Sequence, residues 1–108
     1  MLIYNTTFVC EDCRFNEFLT WLNVEAIPHL LKSKIAYSPQ LSRIVPLEEK
    51  DEKATNLSLQ FRFSNADALE EWITNDLYTT LNQMTNRFGQ SSLFFSTVLE
   101  LLPLSGQN

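Results

Sequence analysis

Ala54-Thr55-Asn56-Leu57-Ser58-Leu59-Gln60-Phe61-Arg62-Phe63 decides the fold class. Leu57, Leu59, Phe61 and Phe63 alternate with Asn56, Ser58, Gln60 and Arg62. A period of two marks a strand with one face in a core. The other face is wholly polar, so this strand belongs to a sheet that is covered on one side.

Just before it, Glu48-Glu49-Lys50-Asp51-Glu52-Lys53 is a solvated charge run. It reads as the connection of a long hairpin. The partner strand lies within Ile35–Leu47. Pro39 argues for an edge position, a bulge or a late start near Gln40, and the strand is expected near 40–47.

After the central strand, Ser64–Phe88 reads as a helix. Leu69, Trp72, Ile73, Leu77, Thr80, Leu81, Met84 and Phe88 build its stripe. Ser64 is the expected N-cap, with Asp67 completing a weak capping box. Gly89 is expected to cap the far end in a left-handed conformation. Ser92–Leu102 is a last strand, and Pro103 stops it.

At the other end, Leu2–Cys10 is rich in β-branched and aromatic residues and reads as a strand. The helix near 13–32 carries Phe15, Phe18, Leu19, Leu22 and Ala26 on one side. Trp21 and Val24 fall off that stripe and are candidates for a second buried surface. Pro28 is expected to break the helix or turn its axis between Ala26 and His29.

The order is therefore β-α-β-β-α-β, an α+β ferredoxin-like sandwich. Right-handed crossovers place both helices on one face of a four-stranded antiparallel sheet, with expected spatial order 4-1-3-2. A single domain is expected over residues 1–103, with 104–108 as a tail. The uncovered sheet face would carry Ser58, Gln60 and Arg62 beside large apolar residues of the last strand. Homodimerisation through that open face is the simple way to remove the exposure.

Composition sets outer limits. The 108 residues are 44% apolar and 19% charged, which suits a folded globule. The net charge of −5 leaves no basic stripe, so neither nucleic acid nor an anionic membrane is an expected partner. No apolar run is long enough to span a bilayer. Met1–Cys10 carries no basic side chain, which argues against a signal peptide and for a cytoplasmic protein.

Met1-Leu2-Ile3-Tyr4-Asn5-Thr6-Thr7 resembles the M-I-I-Y-N-T-T opening of a family of small bacterial proteins known as a domain of unknown function. Ile27-Pro28, Pro39-Gln40-Leu41-Ser42-Arg43-Ile44, Ser58-Leu59-Gln60-Phe61 and Arg87-Phe88-Gly89 extend the resemblance over nearly the whole chain. Such proteins are similar to the dimeric α+β barrel class. That class includes cofactor-independent monooxygenases, isomerases, haem-degrading enzymes and amino-acid-sensing domains. The resemblance implies a fold and a dimer, and a fold alone assigns no activity.

The candidate chemistry is sparse. Cys10 and Cys13 form a lone C-x-x-C; with His29 they make only three soft ligands, one short of a zinc site. Ordinary buried or half-exposed thiols are expected. His29, the single histidine, follows Pro28 near a helix C-terminus and suits a structural role there. No histidine lies within Ser64–Phe88 to hold a haem, and no glycine-rich loop cradles a nucleotide, so no cofactor and no metal are expected.

Tyr4, Asn5, Arg43, Gln60, Arg62 and Glu100 are the polar residues on expected strands. In the bland alternative, Arg62 pairs with an acid such as Glu100 or sits at the sheet rim. In the sharper one, Asn5 and Gln60 orient a ligand carbonyl and Arg62 holds an anionic group. Trp21 and Trp72 fit core-edge packing, with ligand stacking as the alternative for Trp72. The candidate ligand site is Asn5, Gln60 and Arg62, with Trp72 at the pocket edge. Two functions follow: a non-catalytic ligand-sensing or interaction module, or a small cofactor-independent monooxygenase- or isomerase-like enzyme acting on a small organic molecule.

Overall fold

A computed structural model describes residues 1–48 and 53–105. The middle of the Glu48–Lys53 charge run and the end of the expected tail lie outside the described residues.

Four strands form one antiparallel sheet: β1 (Leu2–Glu11), β2 (Tyr37–Arg43), β3 (Ala54–Phe63) and β4 (Ser92–Glu100). Their order is β2-β3-β1-β4, with β1 and β3 in the centre, as the sequence pattern predicts. Two helical arms cover one face. The first comprises a 3-10 turn (Asp12–Arg14), α1 (Phe15–Trp21), a π turn (Leu22–Ala26) and α2 (Ile27–Leu31). The second comprises α3 (Ala66–Trp72), a π turn (Ile73–Leu77), α4 (Tyr78–Phe88) and a 3-10 turn (Gly89–Ser91).

The alternation in β3 is realised: Leu57, Leu59, Phe61 and Phe63 are buried. From β1, Tyr4, Phe8 and Cys10 enter the same core. The arms contribute Phe18, Trp21, Leu22, Leu69, Trp72 and Phe88. Trp21 therefore belongs to the main core, ringed by Phe18 and Phe88 at 5.7 Å each, while Val24 is exposed.

The helix does not break at Pro28. Ala26 and Ile27 keep helical dihedrals, and the hydrogen bonding changes instead: the Ile27 N–H reaches back to the Leu22 carbonyl, five residues away. Pro28 then starts α2, where a missing N–H costs little. A second π turn occupies the second arm without any proline, with the Tyr78 N–H on the Ile73 carbonyl. Leu22, Ala26 and Leu30 recur every four residues, as do Ile73, Leu77 and Leu81. In a straight α-helix such a series drifts by about 40° per step. The wider turn counters that drift and keeps each series against the sheet.

Three local expectations need correction. The N-cap of the second arm is Asn65, not Ser64: its side chain accepts the Ala68 N–H at 2.8 Å. β2 begins at Tyr37 and holds Pro39 within it, on the sheet edge. The register slips between Tyr37 and Gln40, and Ser38 takes φ 52° there. Gly89 has the positive φ expected of it, 57°, but its ψ of −131° is extended rather than left-handed helical. It turns the chain directly into the last strand.

Candidate functional site

Residues of one parity share a sheet face. Asn5 lies opposite Gln60 on β3 and Thr97 on β4. Thr7 lies opposite Ser58 and Phe95, and Ile3 opposite Arg62 and Leu99. Asn5, Gln60 and Arg62 therefore all occupy the open face, as the strand alternation demands.

Asn5 sits at the centre of a short polar network. Its Oδ1 accepts the Ser58 hydroxyl, and its Nδ2 donates to Thr7 Oγ1 at 3.3 Å. Across β3, Gln60 faces Gln40 and Ser58 faces Ser42. The middle of the face is thus amides and hydroxyls, which exchange hydrogen bonds and do not titrate near neutral pH. Arg62 is exposed at one end, with Nη1 3.8 Å from the Met1 sulfur. Its suggested partner Glu100 stands on the other face, because Glu100 lies opposite Leu2.

An apolar rail borders this strip. Leu93, Phe95 and Leu99 on β4 are 60%, 59% and 43% exposed.

Trp72 is not part of this face. It is fully buried on the helical side, with Phe63 and Phe61 rings 4.9 and 5.4 Å away. Its indole N–H is held by the Leu30 carbonyl at 2.9 Å. The sheet stands between Trp72 and the three polar residues, because Trp72 continues the apolar stripe that includes Leu69 and Ile73. The space between sheet and arms, lined by Thr6, Phe8, Trp21, Phe61 and Trp72 among others, keeps a void of about 10 Å³. That is one water's worth.

The remaining reactive side chains lie elsewhere. Cys10 is buried, and burial pushes its thiol up to about 11. Cys13 is exposed, its sulfur 3.6 Å from Glu11 Oε2. Among the described residues, no three His, Cys, Asp or Glu side chains cluster as a metal ion requires. His29 lies in the last turn of α2, with Nε2 buried and without a partner among the described residues. On the outer helical surface, Arg14 pairs with Glu17 and Arg87 with Glu25, each at 2.8 Å. The Arg14 hydrogen bond holds the Glu17 carboxyl below its usual range. Both guanidinium groups lie over the Phe88 ring, at 4.7 and 5.7 Å. The Arg87–Glu25 pair joins the two arms, whereas Arg14–Glu17 lies within the first.

The fold has solved relatives. HapK from Hahella chejuensis matches with a TM-score of 0.65 at 8% identity, covering 100% of this chain and 99% of that one. An ethyl tert-butyl ether D (EthD) family protein from Bacillus halodurans matches at 0.70 and 14% identity, covering 94% and 100%. A dimeric ferredoxin-like protein from an uncultured marine organism matches at 0.56 and 10% identity, covering 95% and 96%. Identities this low establish the ferredoxin-like fold alone. No curated protein matches the sequence. A family model described as "Domain of unknown function (DUF4286)" matches residues 1–102.

Proposed function

We propose, for a chain that belongs to the DUF4286 family, a non-catalytic module that pairs with a second copy of itself through the open sheet face. The observation that carries this is the row of Leu93, Phe95 and Leu99 beside the polar strip of Asn5, Thr7, Ser58 and Gln60. An apolar rail next to a hydrogen-bonding strip is the make-up of an interface, with complementarity supplied by the polar groups and affinity by the apolar ones. The neighbour described as a dimeric ferredoxin-like protein supports self-pairing.

In this dimer Asn5, Gln60 and Arg62 line the space between two facing sheets. A small organic ligand or a partner protein would meet amide donors and acceptors there, with Arg62 at the rim for an anionic group. The packed core between the central strands and the arms, with a void of only about 10 Å³, supports a sensing or interaction role over a cofactor-independent monooxygenase- or isomerase-like enzyme, which needs an enclosed pocket for its substrate. The acidic charge of −5 argues against nucleic acid, and no helix is long and apolar enough to cross a membrane. Two free thiols suit the reducing cytoplasm.

Phe95→Glu tests the pairing. It places a carboxylate in the facing row of each copy without entering the core. Sedimentation velocity should give a dimer for the wild type and a monomer for the variant, with unchanged far-UV circular dichroism. A variant that stays dimeric overturns the assignment of this face.

A further inference from the structure

β4 is exposed on both faces, and a sheet-to-sheet dimer covers only one. On the helical side, Phe94 is exposed although it lies opposite the buried Phe8. A groove of about 630 Å³ runs here between β4 and the second arm. Its volume falls in the range of small-molecule sites.

The direction of the groove follows from two contacts. The Ser92 hydroxyl meets the Met84 sulfur at 3.6 Å, and the Tyr4 ring meets the Trp72 ring edge-on at 5.6 Å. β4 therefore passes α4 in the reverse sense. Phe94 lies toward Thr85 and Asn82, at a polar mouth; Tyr4 and Ile73 lie at the inner, apolar end. Ile73 and Leu77, the first and last residues of the second π turn, both line the groove. π turns occur frequently at functional sites.

Tyr4 is the telling residue. It lines the groove, and its hydroxyl makes no hydrogen bond to the described residues, so it is open to a ligand there. No charged side chain lines the groove. Tyr78 on α4 and Phe94 on β4 both border it with exposed rings.

We propose that this groove binds a neutral, planar aromatic compound whose carbonyl oxygen accepts the Tyr4 hydroxyl and whose rings pack against Tyr78 and Phe94. The site lies across the sheet from Asn5, Gln60 and Arg62 and does not depend on dimer formation.

Nile red, a neutral planar dye with a ring carbonyl, is the probe. Fluorescence titration should give saturable binding to the wild-type chain. Tyr4→Phe keeps the ring and removes one oxygen; it should weaken binding about fivefold, the worth of one neutral hydrogen bond. Thr85→Trp, on an exposed helical position, should fill the mouth and abolish binding. Phe95→Glu, on the opposite face, should leave the dye affinity unchanged. The anionic dye 1-anilinonaphthalene-8-sulfonate should bind at least roughly tenfold more weakly than Nile red, since no cation meets it (cf.). Absence of saturable Nile red binding, wild-type affinity in either Tyr4→Phe or Thr85→Trp, loss in Phe95→Glu, or equal binding of the anionic dye overturns the proposal.

Discussion

The Trp72 indole N–H donates to the Leu30 carbonyl at 2.9 Å, across 42 residues of sequence. Leu30 lies in the last turn of α2, where carbonyls lose their helical partners. Trp72 closes α3, directly before the second π turn. One side chain from the second arm thus caps the end of the first. The same ring packs against Tyr4, Phe61 and Phe63 of the sheet. Trp72→Phe should cost about 2–4 kcal/mol, combining an unsatisfied buried carbonyl with a partial cavity. Urea unfolding followed by circular dichroism measures it; a loss below about 1 kcal/mol would show that the bond contributes little.

Pro28 marks the first π turn, but the second forms with no proline in the arm. The cause common to both is the four-residue apolar spacing. Pro28→Ala should therefore keep the helix content and change stability by no more than about 1 kcal/mol. Far-UV circular dichroism and a urea midpoint check this; a large gain in helicity would show that the proline sets the turn.

The strand pairing was legible because β3 alternates without a fault, and the edge position of β2 because Pro39 cannot sit in a central strand. Asn5, Gln60 and Arg62 could be placed on one face by parity alone. Trp72 was misplaced at their pocket although the pattern already separated them: it belongs to the apolar stripe that covers the core face, whereas the alternation in β3 puts Gln60 and Arg62 on the uncovered one. The π turns were hidden for a related reason: Leu22–Ala26–Leu30 looks like a loose α-helical stripe until the turn that aligns it is seen. The free hydroxyl of Tyr4 was beyond reach, since it depends on how far the second arm stands from β4.

Gly89 takes φ 57° and ψ −131°, a region closed to side chains with a Cβ. A Cβ there would meet no atom within 4 Å, so the conflict is purely with the backbone. Gly89→Ala should cost about 1–3 kcal/mol. Asn, which tolerates the left-handed helical region, should not rescue it, because the ψ is wrong for that region. Thermal unfolding of both variants decides; a neutral Gly89→Ala would contradict the conformation.

The two thiols should separate by reactivity. Cys13 is exposed and should react quickly with a disulfide reagent, whereas Cys10 should react only on unfolding. The Cys10 thiol is raised from 9.0 to about 11 by burial, so the folded chain holds its proton more tightly than the unfolded one. Its stabilising contribution is complete below pH 9 and is lost as pH rises from there through 11. Cys10→Ala should flatten the fall in unfolding free energy over that window. An unchanged fall would assign it to other groups.

Self-association through the open sheet face is the central claim, and sedimentation equilibrium on the wild-type chain tests it most directly. Leu93, Phe95 and Leu99 give that face the apolar row that a stable interface needs. At micromolar concentration the mass should be twice the 12.5 kDa of one chain. A single 12.5 kDa species across that concentration range would contradict the account.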